Sequence, residues 1–169
     1  MTLENMFYVS QTIAAFAIVG SLLFVGLEVR HSNRESRHRT IEEMLGNYRS
    51  LSITIASNAD TGSLWMRGLH DLAELDPVDR VRFPSLARTS FFIQQSFYLH
   101  YRSGYIPSDI YQPQEASTID ILGYPGMQAA WELRKNYFQK SFRTMMDEKV
   151  AVGTISGQSE PYADTLGPG

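Results

Sequence analysis

The sequence predicts an all-α protein, with an N-terminal transmembrane helix continuing into a four- or five-helix cytoplasmic bundle. Three observations lead there. Met6 to Leu27 runs without one charged side chain, and roughly 20 apolar residues are enough for a helix to cross about 30 Å of hydrocarbon. Beyond that run, apolar residues recur at spacings of three and four, the period of a helix face. No stretch alternates apolar and polar residues for long enough to make a strand. The expected organisation is an anchor over 1–28, a helical domain over 29–151 and a flexible tail over 152–169.

The anchor has two competing readings. A cleaved signal peptide needs a basic start and a shorter apolar stretch, whereas this chain opens on MTLEN, with Glu4 and neither Lys nor Arg. A buried core helix is the other, because Ser10, Gln11 and Thr12 leave only Ile13 to Leu27 strongly apolar. After Leu27 come Arg30, Arg34, Arg37 and Arg39, with His31 and His38 between them, against only Glu28 and Glu35. Nothing basic precedes the run. The positive-inside bias therefore puts the N-terminus outside and the C-terminal domain in the cytoplasm, in a bacterial inner membrane. Diluted by two glutamates, these arginines are a topology signal rather than a specific lipid site. Ala14, Ala17 and Ser21 recur at helical spacing beside Gly20. Such small residues either let a second transmembrane helix dock closely or reflect the ordinary frequency of Gly and Ala in membrane helices.

No Pro or Gly interrupts Leu27 to Leu45, so the anchor is expected to continue as one helix. Ile41, Met44, Tyr48, Leu51 and Ile55 then form one apolar stripe. The turn formers of SNADTGS, residues 57–63, end it. A short helix, SLWMRGLHDLAEL, clusters Leu64, Trp65, Leu69 and Leu72. Asp76 and Pro77 signal the next start, as N-cap and first helical residue, with Asp79 in the first turn. The helix from there to about Arg102 is apolar on nearly every face, which predicts a central helix covered by neighbours. Pro84 either kinks it or marks a later start, and Gly104 stops it. Residues 108–122 read as less regular. A last helix carries GMQAAWELRKNYFQKSFRTMMDEKV, with Trp131, Phe138, Phe142 and Met145 on one face and Arg134 among them. Residues 152–169 are rich in Gly, Pro and Ser and poor in apolar side chains.

Composition removes several chemistries. The net charge of −3 argues against a general nucleic-acid binder. The chain has no cysteine, which excludes disulfides, thiolate catalysis and Cys-based zinc sites. His31, His38, His70 and His100 are the only histidines, and none sits three or four residues from another. The paired Glu-x-x-His motifs of a di-iron bundle are absent, as are a nucleophile elbow, a Walker loop and a dinucleotide fingerprint. No catalytic, metal or cofactor-binding residue is assigned, and no cofactor is expected.

Two features keep a ligand site open. Nine Phe, nine Tyr and two Trp are many for this length, and Phe91, Phe92, Phe97, Tyr98, Tyr101 and Tyr105 either fill a core or line an apolar pocket. Arg134, on the stripe of Trp131 and Phe138, must stack on Trp131, pair with an acid or face a ligand. Arg134, Trp131 and His100 form the candidate ligand or structural ion-pair site, His100 being either a hydrogen-bonded core residue or a lone ligand.

The segments SLLFVGLEVRHSNRESR, SLWMRGLHDLAELDPVDRVRF, YRSGYIPSDIY and YPGMQAAWELRKNYFQKSF, in that order, resemble a widespread set of small bacterial proteins. The resemblance spans about residues 10–150. It is most specific at SLLFVGLEVR and around Pro125, Gly126, Trp131, Arg134 and Phe142. This chain departs from it at Glu28, where such proteins often carry Gln, and in its glycine-rich tail. The resemblance implies one N-terminal membrane helix and a helical cytoplasmic domain, with no activity attached. The residues themselves point to a non-catalytic single-pass membrane protein working by association, as an accessory or assembly subunit. Its expected partners are membrane lipid and another membrane protein or a second copy. The alternative is a membrane-anchored small-ligand sensor using an aromatic-lined pocket with Arg134.

Overall fold

The structure, a computed structural model, describes the backbone of residues 3–156 and, within it, the side chains of 11 and 16–151. The described residues form the helices α1 (Leu3–Ala56), α2 (Ala59–His70), α3 (Asp79–Arg102), α4 (Ser108–Leu122), α5 (Pro125–Arg134) and α6 (Lys140–Ser156). A 3-10 turn (Lys135–Tyr137) follows α5, and no strand occurs among the described residues. The chain divides into two compact units, residues 1–41 and 42–169.

The first unit is the N-terminal part of α1. Phe16, Ile18, Val19, Leu22, Leu23, Phe24, Val25, Leu27 and Val29 are each at least 53% exposed. At 3.6 residues per turn these positions surround the helix instead of forming one stripe. Among the described residues no helix is long and apolar enough to cross a membrane. Met6–Ser10 and Thr12–Ala15, which belong to the apolar run of the sequence, lie outside the described side chains.

In the second unit the helices differ from expectation mainly at their ends. The helix α2 begins at Ala59, before the expected Ser63, because the Asn58 side chain accepts from the Thr61 amide at 3.0 Å and caps it. It ends at His70, short of Leu75: Asp71 is extended and its carboxylate takes the Ala73 amide at 2.7 Å. The Arg80 guanidinium then holds the carbonyls of Ala73 (2.5 Å) and Leu75 (2.6 Å). The helix α3 begins at Asp79 with Val78 as its N-cap, two residues past the expected Pro77, and the Asp76 side chain closes the turn that leads into it. Asp76 Oδ1 accepts from the amides of Val78 and Asp79, both at 2.9 Å. Pro84 is buried inside α3, which runs unbroken to Arg102. Gly104, at φ +70°, supplies the left-handed residue that ends it.

Three expectations need correction. First, α3 is not covered all round: Phe83, Ala87, Phe91 and Phe97 are buried, but Val81 and Phe92 are exposed. Second, residues 108–122 form a regular helix, α4, with Pro113 inside it on an exposed position. Its join to α6 includes the Lys149–Glu115 ion pair at 2.9 Å. Third, the last helical block is two helices. Phe138 is extended (φ −110°, ψ 159°), so α6 starts in a new phase and buries Met146 where the unbroken stripe pointed to Met145. The backbone helix of α6 continues past 151 to Ser156, and the rest of the expected tail, 157–169, lies outside the described residues.

The core of this unit is aromatic. Phe91, Trp131, Phe138 and Phe142 stack edge-on or tilted at centroid distances from 5.2 to 6.1 Å, and Trp131 is fully buried. On the far side, α2 and α5 approach backbone to backbone at Gly68 and Gly126. A Cβ on Gly126 would overlap the Gly68 carbonyl oxygen, and one on Gly68 would overlap the Phe83 ring.

Candidate functional site

The candidate residues Trp131, Arg134 and His100 separate in the structure. Trp131, on α5, is spoken for: its indole N–H donates to Asp147 Oδ1 at 2.8 Å. His100, near the end of α3, puts Nδ1 2.8 Å from the Ser96 carbonyl and its ring edge against Tyr105. Arg134, last residue of α5, has no side-chain hydrogen bond or ion pair among the described residues, and its Nε is buried without an acceptor. No contact joins His100 to either of the others among the described residues. The α5–α6 break explains part of this separation, since it removes Arg134 from a common stripe with Phe142.

The neighbours of Arg134 are less expected. Lys135 pairs with Glu132 at 2.7 Å and stands 3.9 Å from Asp147. The Glu132 hydrogen bond, first, and then the Asp147 and Glu132 charges raise its pKa above 10.5, against its desolvation and the opposing charge of Arg143. Arg143, from α6, donates through Nη1 to Asn136 Oδ1 at 3.2 Å, while its Nε is buried without an acceptor. Leu133 and Tyr137 flank Arg134 and are 58% and 64% exposed. Sequence reading passed over these two, although both fall off the Trp131–Phe138 stripe, which is the signal that would have found them.

Two grooves flank the C-terminal part of α1. One, of about 450 Å³, lies between Asn47, Leu51 and Thr54 and the α3 residues Thr89, Phe92 and Ser96. The other, of about 260 Å³, lies among Tyr48, Ile55, Trp65, Gln94 and Ile121. Their walls carry hydroxyl and amide groups beside apolar ones, and no Asp, Glu, His, Lys or Arg. They offer shape and hydrogen bonding but no side chain that exchanges protons near neutral pH. Neither is lined by Arg134, Trp131 or His100. Among the aromatics expected to line a pocket, Phe91 and Phe97 are packed in the core, Tyr101 stacks flat on Tyr111 at 4.2 Å, and Phe92 borders the larger of these two grooves. Burial, then the Glu115 charge, pushes the Tyr111 hydroxyl well above the usual phenol range. Among the described residues no cluster of His, Asp or Glu is placed to hold a metal ion.

Of the helix-docking residues, Ala17, Gly20 and Ser21 are exposed on α1, and Ala14 lies outside the described side chains. Ser21 Oγ donates to the Ala17 carbonyl at 2.8 Å, which satisfies the hydroxyl within its own helix. A Cβ on Gly20 would meet no atom within 4 Å. No protein-family model matches the chain, and no curated protein or solved structure is significantly similar to it.

Proposed function

We propose that this chain is a single-pass membrane protein that works by protein–protein association, as an accessory or assembly subunit of a membrane complex. Its anchor is Met6–Leu27, with the N-terminus outside and the helical domain in the cytoplasm. One observation supports this above the others: the large apolar side chains from Phe16 to Val29 are exposed on every side of α1. Burying a Leu or Phe side chain is worth about 1.5–3 kcal/mol, so a helix with so many of them open to water is strongly drawn to lipid or to other helices. The arginines after Leu27 give the orientation.

The test is the membrane fraction. The chain is expected to stay in alkaline-washed membranes and to float with them, and Val19→Arg plus Leu23→Arg to release it, at a cost of about 2.5–3.5 kcal/mol for each mid-span charge. A wild-type chain that washes off in alkali refutes the anchor. Ala17→Leu plus Ser21→Leu then tests the docking face, which fails if the chain's complexes are unchanged.

A ligand-sensing role has one observation in its favour, the buried Nε of Arg134, which has no acceptor among the described residues. Against it, the aromatics beside Arg134 form a filled core, and the two grooves open elsewhere.

A further inference from the structure

We infer that the smaller groove beside α1 is a binding site for an uncharged, one-ring molecule carrying an amide, held by Gln94 and Ser90 of α3. The site stands apart from the anchor and from Arg134, since its lining residues, from Tyr48 to Ile121, all belong to the second unit. Four polar side chains are buried among the described residues: Asp79, Ser90, Gln94 and Thr118. Asp79 accepts from Arg67 and Arg82, and the Thr118 hydroxyl donates to the Gln114 carbonyl at 2.7 Å. Ser90 and Gln94, each only 6% exposed, have no side-chain hydrogen bond among the described residues. Buried polar groups are nearly always paired, and these two sit about one helical turn apart on the wall of the same groove.

Unlike the Nε atoms of Arg134 and Arg143, the polar atoms of Ser90 and Gln94 are not sealed off from outside atoms. Gln94 offers N–H donors and a carbonyl acceptor in one plane, and the edge that answers both at once is another amide. The Ser90 hydroxyl stands on the same wall, with those of Tyr48 and Ser117 on the helices opposite. Between them Ile55, Trp65 and Ile121 supply apolar surface. A few convergent polar groups on otherwise apolar walls, between the helices of a bundle, are the make-up of a small-molecule site.

Size and charge narrow the class. A cavity of about 150 Å³ holds benzene, so the 260 Å³ here suits one substituted ring. No charged side chain lines the groove, and an ionised ligand would lose hydration there without a counter-charge. Water would satisfy Ser90 and Gln94 but leave the apolar walls wetted, whereas a ring covers them. In the larger groove, by contrast, the Thr54 and Thr89 hydroxyls are already used, donating to carbonyls of their own helices at 2.9 and 3.1 Å.

The test titrates benzamide and pyridone, an open and a cyclic amide, into the full chain in lipid nanodiscs, with fluorotryptophan read by fluorine NMR. Trp65 lines the groove and Trp131 is fully buried in the aromatic core, so the Trp65 resonance should shift to saturation while that of Trp131 stays in place. The Trp65→Phe protein assigns the two signals. Benzoate and acetophenone, which keep the shape of benzamide without its neutral amide, should bind at least about fivefold more weakly. The Gln94→Met substitution keeps the length of the side chain without its amide and should weaken the amides at least about tenfold, with Ser90→Ala weakening them less. Its melting temperature should not fall, because an amide without a partner contributes no hydrogen bond to the fold. If neither amide gives a saturable shift at Trp65, the groove holds water and the inference is overturned. Equal binding of acetophenone, or amide binding untouched by Gln94→Met, overturns it too. So does a Gln94→Met protein that melts lower or does not fold, since Gln94 then serves the fold.

Discussion

Replacing Gly126 by alanine is expected to destabilise the helical domain, although alanine is the better helix former. In an isolated helix the change gains about 0.5–1 kcal/mol. Here the new methyl group would overlap the Gly68 carbonyl oxygen and sit 2.8 Å from the Gly68 carbonyl carbon and 2.9 Å from the Leu69 oxygen. All three are backbone atoms, so no rotamer change relieves the overlap and α5 must move away from α2. Overpacking of this kind costs about 1–3 kcal/mol, and a backbone obstacle puts it at the upper end, leaving a net loss of about 2 kcal/mol. For a domain of this size that lowers the melting temperature by about 6–12 °C. Trp65 and Trp131 are the chain's two tryptophans and both lie in this unit, so fluorescence follows its unfolding without interference from the N-terminal helix. Gly46→Ala is the control: nothing lies within 4 Å of its Cβ, and it should stabilise by about 0.5–1 kcal/mol. A Gly126→Ala protein melting at or above wild type would refute the close crossing of α2 and α5.

Asp79→Asn removes the carboxylate that accepts from Arg67 at 2.7 Å and Arg82 at 3.0 Å. Because both guanidinium groups still reach water, the loss should be about 2 kcal/mol in urea unfolding, below the roughly 3–5 kcal/mol of a fully buried pair. The Arg82 hydrogen bond, then its charge, holds Asp60 below the ordinary value of 3.8. Its folded pKa is thus depressed, so its contribution is present above about pH 4 and is lost as pH falls through the folded value. Melting curves of wild type and Asp60→Asn should accordingly converge in acid, and a difference that persists there contradicts the pairing. Gln95→Ala strips the side chain that accepts from the Gln139 amide across the bundle. It should cost about 1 kcal/mol and speed hydrogen exchange at the start of α6 more than elsewhere.

The parts of this fold legible in the sequence are those whose determinants lie within a few residues. Asp76, Pro77 and Asp79 announce the start of α3 to within two residues, because the Asp76 side chain reaches amides two and three residues ahead. Gly104 announces its end because the left-handed φ disfavours side chains. The all-helical class followed from apolar spacing. The candidate site was only half legible. Trp131 was visible on the apolar stripe, but its partner Asp147 lies a helix away, and Leu133 and Tyr137 were legible only as positions off that stripe.

By itself, then, the sequence determined the helix-forming periodicity, the local caps and the charge-free N-terminal run, since each is a property of neighbouring residues. The tertiary structure decided the rest. Gln95 and the ring of Phe138, packed on α3, settle where α5 stops and α6 begins, across a gap that local propensity would have bridged. Gly68 and Gly126 lie far apart in the chain; a side chain on Gly126 is excluded by the Gly68 carbonyl and one on Gly68 by the Phe83 ring, contacts that only the packed helices create. The same holds for the Nε of Arg134, which has no acceptor among the described residues, because whether a donor is paired depends on which helices come to face it.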